Sequence, residues 1–183
     1  LLGADLVGST LGIIGFGRIG QAVAKRAQGF DMRVIFYDPT ADSVHGAQSV
    51  GLDELLHESD FVSLHVPLTP NTKRMVNADF LSKMKPNAIL VNTARGGVVD
   101  QSALYDALKS NQRFAAALGV TDPEPLPMDT PLLTLENCLI VPHLGSASQR
   151  TRDFMSLLAA ENLIAGVKGE RLPNCVNPEV YSR

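Results

Sequence analysis

The sequence predicts a doubly wound α/β fold, a parallel sheet with helices on both faces, and two patterns carry that prediction. Apolar runs of strand length recur at 10–14, 32–37, 61–66, 88–92, 114–120 and 138–141. Several of them are continuous rather than alternating, as strands buried on both faces require. Between them lie segments of helical spacing, such as Ile19, Ala22, Val23, Arg26 and Ala27, and later Leu104, Ala107 and Leu108. Strand alternating with helix indicates parallel pairing through crossover helices. Prolines mark several of the breaks, at Pro39, Pro67 and Pro86 and in the cluster Pro123, Pro125 and Pro127. A last helical pattern over 150–167 carries Leu157, Ala160, Ile164 and Val167 in a stripe expected to pack on the sheet. The proline-punctuated tail beyond it is expected at the surface.

Composition narrows the classes of function. A chain of 183 residues with 45% hydrophobic and 19% charged residues can bury one good core and is not of disordered type. A formal net charge of -3 leaves no clustered basic excess to hold nucleic acid or an anionic membrane, so neither is expected as a partner. No apolar stretch reaches the roughly 18 residues of a membrane span. Cys138 and Cys175 match no metal-ligand spacing and are too few for a disulfide framework, so no metal is expected and a reducing, cytoplasmic compartment is the default. The sequence begins Leu-Leu-Gly, and a true amino terminus with any targeting signal is expected to lie outside it.

Gly15, Gly17 and Gly20 form G-x-G-x-x-G between a predicted strand and a predicted helix. In that context the first glycine makes the tight turn, the second lets a pyrophosphate approach the backbone, and the third lets helix pack on strand. The helix amino terminus then offers free amides to phosphates, and Arg18 can add a charge-assisted contact. Asp38 follows at the carboxyl end of the next strand. A carboxylate there accepts hydrogen bonds from a ribose diol and repels a 2′-phosphate, which favours NAD(H) over NADP(H). The alternative is that the glycines only turn the chain and Asp38 caps the turn before Pro39.

Three further clusters fall where an open parallel sheet places function, just past the carboxyl ends of strands. In "ILVNTARGGVVD" the guanidinium of Arg95 can grip a carboxylate in bidentate fashion, or stand as a solvated loop arginine. In "VTDPEPLP" two prolines stiffen the backbone on either side of Glu124. In "LIVPHLGS" His143 directly follows a strand and a proline; alone it would serve equally as a structural histidine. A carboxylate bonded to an imidazole favours its protonated form, and such a group can give a proton to a carbonyl oxygen while hydride reaches the carbon. His45 and His57 are expected at the surface, and His65 is expected to line a cofactor crevice.

Taken together, "GIIGFGRIGQAVAKRA", "VNTARGGVVD", "VTDPEPLP" and "VPHLGSAS" resemble the D-isomer-specific 2-hydroxyacid dehydrogenases, and the later segments are similar to the glyoxylate/hydroxypyruvate reductases of that family. The resemblance implies a Rossmann-type cofactor domain over 1–168, with 169–183 as a tail returning to a substrate-binding domain outside this sequence. It implies Arg95, Glu124 and His143 as catalytic residues acting on a small 2-oxoacid or 2-hydroxyacid. The implied cofactor-binding set is Gly15, Gly17, Arg18, Ile19, Gly20, Asp38, His65, Val66, Pro67, Thr93, Ala94, Gly119, His143 and Gly145. A homodimer is implied as well. Formate dehydrogenases resemble the same pattern but carry an amide where this sequence has Glu124, so the acid suits reduction of a 2-oxoacid.

Two departures qualify that expectation. Without the segments that form the family's second domain, this stretch alone is expected to turn over slowly or not at all. The family's aspartate before Val-Thr, which holds the nicotinamide carboxamide, is here Gly119. These departures keep a second reading open, a catalytically inactive NAD(H)-binding sensor or interaction module. The subgroup resemblance also leaves NADPH possible, against the carboxylate of Asp38.

Overall fold

A computed structural model describes residues 3–41 and 46–182; the surface expectation for His45 lies outside the described residues. The chain divides into two compact units, 1–143 and 144–183. The last helix falls in the second unit together with the tail.

The first unit is a seven-stranded sheet in which every pair is parallel. In chain order its elements are β1 (Thr10–Ile14), α1 (Arg18–Ala27), β2 (Arg33–Tyr37), β3 (Ala47–Ser49), α2 (Leu52–Glu58), β4 (Phe61–Leu64), α3 (Ala78–Ser82), β5 (Ile89–Asn92), α4 (Gln101–Ser110), β6 (Ala115–Leu118) and β7 (Cys138–Ile140). The spatial order is β3-β2-β1-β4-β5-β6-β7, so the strand order reverses between β1 and β4. This is a Rossmann-type arrangement, and ligands of such sheets bind at the carboxyl-end crevice where the order reverses. The six runs read from sequence are all strands. β3 was not foreseen: three residues, Ala-Gln-Ser, at the sheet edge carry too little apolar pattern to stand out.

Alternation along the central strands explains why helices cover both faces. Leu11 and Ile13 of β1 and Val34 and Phe36 of β2 join Ala24 and Ala27 of α1 in one core. Their neighbours Ile14 and Ile35 point to the opposite face and join Leu55 and Leu56 of α2, with Leu104 and Leu108 of α4 in the same cluster. Successive strand side chains alternate sides, so one continuous apolar run feeds two cores. At Gly12 the second core leaves no room for a side chain: a Cβ there would lie 2.1 Å from Ser59 Oγ and 2.6 Å from Leu55 Cδ2.

Polar groups tie the amino-terminal edge of the sheet. The Asp60 carboxylate accepts from the Thr10 amide at 2.8 Å and pairs with Lys85 Nζ at 2.8 Å. Asn137 Nδ2 lies within hydrogen-bonding distance of the Leu108, Asn111 and Phe114 carbonyls, at 3.0, 3.3 and 2.8 Å, which fixes the entry into β6.

The second unit holds α5 (Gln149–Val167), capped by Ser148. The tail folds back on this helix: the Asn174 amide donates to Asn162 Oδ1 at 3.1 Å, and the Leu172 amide to the Tyr181 hydroxyl at 3.0 Å. The expected buried stripe is not found, since Leu157, Ile164 and Val167 are 54%, 54% and 80% exposed. The physical reason is in the helix itself. Phe154, Met155, Leu163 and Val167 spread around its circumference, so no single face collects its apolar residues.

Candidate active site and dinucleotide crevice

The glycine loop after β1 is shaped by what a side chain would strike. Gly15 sits at φ +89°, and a Cβ on it would lie 2.7 Å from the His65 carbonyl carbon. A Cβ on Gly20 would lie 2.3 Å from the Gly15 carbonyl oxygen, so α1 reaches its loop only through a glycine. Gly17, the residue that caps α1, faces open space. Its exposed backbone and the uncapped amides of the first turn of α1 form a surface suited to phosphate, with no acidic residue in that turn to oppose it.

Asp38 lies at the end of β2 and is bound on both oxygens. Oδ2 accepts from the Phe16 amide at 2.7 Å, and Oδ1 accepts from the Thr40 amide and hydroxyl, each at 2.8 Å. Burial by itself would raise its pKa, but these hydrogen bonds and one from the Ala41 amide hold the carboxyl below the ordinary carboxylate value. Asp38 therefore caps its own turn and also holds the glycine loop; the Phe16 ring stacks on Phe36 at 3.8 Å, locking the same connection from the core side. A carboxylate has about four lone-pair positions, and those of Asp38 are engaged by Phe16, Thr40 and Ala41.

Eight residues expected from sequence line one cavity of about 640 Å³: Arg18, Ile19, His65, Val66, Pro67, Thr93, Ala94 and Arg95. Ile19, assigned to a helical stripe by spacing, is 65% exposed and belongs to this wall rather than to the core. Leu68 completes the lining and was missed; an apolar residue exposed directly after Pro67 was the available signal. Two guanidinium groups, Arg18 and Arg95, give the cavity a positive lining. His65 Nε2 lies 2.9 Å from the buried Ser63 Oγ, and burial holds the imidazole pKa below its usual value. His57, as expected, is exposed.

Arg95 is presented by an Asx-type turn that the sequence reading did not recognise. The fully buried Asn92 accepts from the Ala94 amide at 3.0 Å and donates to the Arg95 carbonyl at 3.0 Å. The next residue, Gly96, runs against the adjoining loop so closely that a Cβ would lie 1.9 Å from the Thr121 carbonyl oxygen.

Glu124 and His143 meet. Glu124 Oε1 and His143 Nδ1 are 2.9 Å apart, with side chains 40% and 56% exposed. His143 adopts φ +50°, a left-handed conformation that non-glycine residues seldom take. Its amide is held by the Gly119 and Val141 carbonyls, both at 3.0 Å. Sparsely populated backbone of this kind concentrates at functional sites. Glu124 borders a separate hollow of about 410 Å³ that is also lined by Thr121, Pro125, Leu126 and Ile140. Arg95 lines the other cavity, so the structure joins Glu124 to His143 and sets Arg95 on the neighbouring loop.

Gly119 is buried, donates to the Asn92 carbonyl at 2.8 Å, and has space: the nearest atom to a Cβ there is Thr93 Cγ2 at 3.4 Å. Asp122 does not replace the missing acid, since its Oδ2 lies by Gly97 on the Arg95 loop. Gly145 falls in the second unit and faces open space there.

Comparison with known proteins agrees with this geometry. Residues 1–145 match the model of the D-isomer specific 2-hydroxyacid dehydrogenase, NAD binding domain. The chain belongs to this family. It is 54% identical over 184 residues to a glyoxylate reductase of Korarchaeum cryptofilum, covering 98% of this chain and 55% of that protein. A glyoxylate reductase/hydroxypyruvate reductase of Homo sapiens is 49% identical over 179 residues, covering 95% and 55%. A crystal structure of a Thermus thermophilus protein superposes with a TM-score of 0.90 at 52% identity, covering 96% of this chain and 56% of that one. The chain thus spans about half the length of the curated relatives it matches. No helix among the described residues is long and apolar enough to cross a membrane.

The buried imidazole gives a pH dependence of defined sign. Because burial holds the folded pKa of His65 below the ordinary imidazole value, the unfolded chain takes up a proton first as pH falls. Stability should therefore decline from about pH 6.5 downward until the lowered folded value is passed. Urea midpoints measured across that range should lose part of this slope in His65→Gln. An unchanged slope would assign the protonation to another group.

Proposed function

We propose that this chain is the cofactor-binding part of a reductase that converts a small 2-oxoacid, glyoxylate or hydroxypyruvate, to the D-2-hydroxyacid. In this proposal 1–168 forms the cofactor domain and 169–183 leads back to a substrate-binding domain. The observation that carries the reading is the Glu124–His143 hydrogen bond, with Arg95 on the next loop. Glu124 engages Nδ1, which leaves His143 Nε2 to donate a proton to the 2-oxo oxygen. The hydrogen bond to Glu124 fixes the ring orientation for that donation. Arg95 holds the substrate carboxylate in fork geometry. NADH, when bound, supplies the hydride that reaches the 2-oxo carbon.

The residues present fit that cofactor. Gly17 and the first turn of α1 offer unobstructed backbone to a pyrophosphate, and Arg18 adds charge. Asp38 places a carboxylate at the end of β2, where a ribose hydroxyl would approach and compete for it. No lysine or arginine occurs between Asp38 and Lys73 to receive a 2′-phosphate, which supports NADH over NADPH. The joint presence of Arg95, Glu124 and His143 supports catalysis over an inactive dinucleotide module. A homodimer belongs to the same proposal on the family resemblance, and a cytoplasmic setting on the sparse, unpaired cysteines.

Calorimetric titration with NADH and with NADPH should show NADH bound at least about tenfold more tightly, a difference of roughly 1.4 kcal/mol. Equal affinities, or NADPH ahead, would remove Asp38 as the determinant.

In the whole protein, His143→Gln should lower 2-oxoacid-dependent NADH oxidation by about 10²–10⁴-fold, the usual contribution of a general acid, while NADH affinity stays within a few fold. Oxidation at the wild-type rate would assign the proton to another group.

Gly119→Asp has room for its Cβ and should restore the family's contact to the nicotinamide carboxamide. A charge-assisted hydrogen bond contributes about 1.5–3 kcal/mol, so NADH should bind roughly ten- to a hundredfold more tightly. Unchanged affinity would mean that the carboxamide is held elsewhere.

A further inference from the structure

Glu124 stands on a loop beyond the end of β6, where no neighbouring strand continues to pair with it, yet its carboxylate must be held at hydrogen-bond distance from His143. We propose that Gln101 is the positioning residue for this pair, acting through the backbone of Asp122; the inference rests on the reading of Glu124 and His143 as the proton-donating couple. Gln101 Nε2 donates to the Asp122 carbonyl at 2.5 Å, and Gln101 Oε1 accepts from the Asp122 amide at 3.2 Å. A primary amide carries one donor and one acceptor side by side, as a peptide group does. The side chain thus takes the part of a missing neighbour strand, gripping both backbone groups of the residue two positions before Glu124.

The grip is anchored in the core. Gln101 is the first residue of α4, whose Asp100 cap accepts from the Ser102 and Ala103 amides at 3.1 and 3.2 Å, and whose Leu104 and Leu108 are fully buried. The Asp100 amide in turn donates to the Val76 carbonyl at 2.9 Å. Position 101 is therefore fixed, and its side chain transmits that rigidity to the loop. Two other restraints act nearby: the Thr121 hydroxyl donates to the Pro123 carbonyl at 2.9 Å, and Gly96 lies against the Thr121 carbonyl. The first ties residue 121 to Pro123, and the second sets Gly96 against the Thr121–Asp122 peptide. Gln101 alone of the three hydrogen-bonds to Asp122, and neither Glu124 nor His143 is among its hydrogen-bond partners. α4 also begins just after the Arg95 loop, so one helix start sets the position of both loops that carry catalytic groups.

The tautomer of the His143 ring tests this without cofactor or substrate. Which ring nitrogen keeps the proton is set by the hydrogen bond that ring makes. With Glu124 accepting at Nδ1, the neutral ring of the 183-residue chain should be mainly the Nδ1–H form, read from its ¹⁵N shifts in multiple-bond ¹H–¹⁵N correlation spectra. Glu124→Ala gives the reference for complete loss, a ring returned to the Nε2–H form that a free imidazole prefers. Gln101→Leu, which keeps size and removes both bonds to Asp122, should produce at least half of that change. Gln101→Glu, which sets a carboxylate against the Asp122 carbonyl, should move the ratio in the same direction, and it decides the matter if the leucine variant fails to fold. A wild-type tautomer ratio in the folded variants would reduce Gln101 to a structural contact and overturn the proposal. So would a wild-type chain whose ratio does not respond to Glu124→Ala. A wrong substrate or cofactor assignment leaves this readout untouched, and a failure here leaves the NADH titration standing, so the two readings fail separately.

Discussion

The site depends on backbone meeting backbone where parallel strands end. Strands paired about 4.8 Å apart send their loops out side by side, and at two places these loops touch with no side chain between them. Gly15 lies against the His65 carbonyl, and Gly96 against the Thr121 carbonyl. The first contact joins the loops after β1 and β4, the two sides of the crevice where strand order reverses. The second joins the loops after β5 and β6, which carry Arg95 and Glu124. A methyl group at either place would meet main chain, which cannot rotate away as a long side chain can. Steric exclusion thus brings the charged groups of four loops to one edge of the sheet.

Hydrogen bonds then fix what close approach alone leaves loose. Asn92 folds the turn that presents Arg95, Asp38 draws the Phe16 amide to the end of β2, and the Gly119 carbonyl holds His143 in its left-handed conformation. In each case a strand-end residue, by side chain or main chain, satisfies a loop backbone group that has lost its ladder partner. Asp38 shows the consequence most clearly, because one carboxylate shapes the phosphate loop and also faces the ribose position. Exchanging it to accept a 2′-phosphate would remove the Phe16 contact as well. On the proposed reading, cofactor preference and loop shape are coupled at this residue.

Much of this was legible in the sequence, for a physical reason. Strands buried on both faces leave unbroken apolar runs, and the turns that follow need glycine, proline or a short polar residue at fixed places. That is why the six runs are strands and why eight expected residues share one cavity wall. Other features left no such trace. The three residues of β3 are polar and at the edge. The stripe assigned to α1 included Ile19, since spacing along a helix cannot tell a core face from a crevice face. The apolar residues of α5 were taken for a buried stripe, although they surround the helix. Gln101 was passed over because its partner is the main chain of a residue twenty-one positions away, and a side chain that binds backbone imposes no pattern on its partner's side chain.

Gly119 illustrates how these layers separate. Its main chain does what the fold requires, receiving the His143 amide and donating to the Asn92 carbonyl. Its side-chain position, beside Thr93 with room for a Cβ, is where the family resemblance places an acid directed at the nicotinamide. Loss of that acid leaves strand pairing and the His143 contact intact, because both run through the backbone. The register of β5 and β6 and the geometry of the Glu124–His143 pair are thus independent of what stands at position 119, while the hold on the carboxamide is not. On the proposed reading, a substitution there acts on cofactor positioning and leaves the Glu124–His143 pair unchanged.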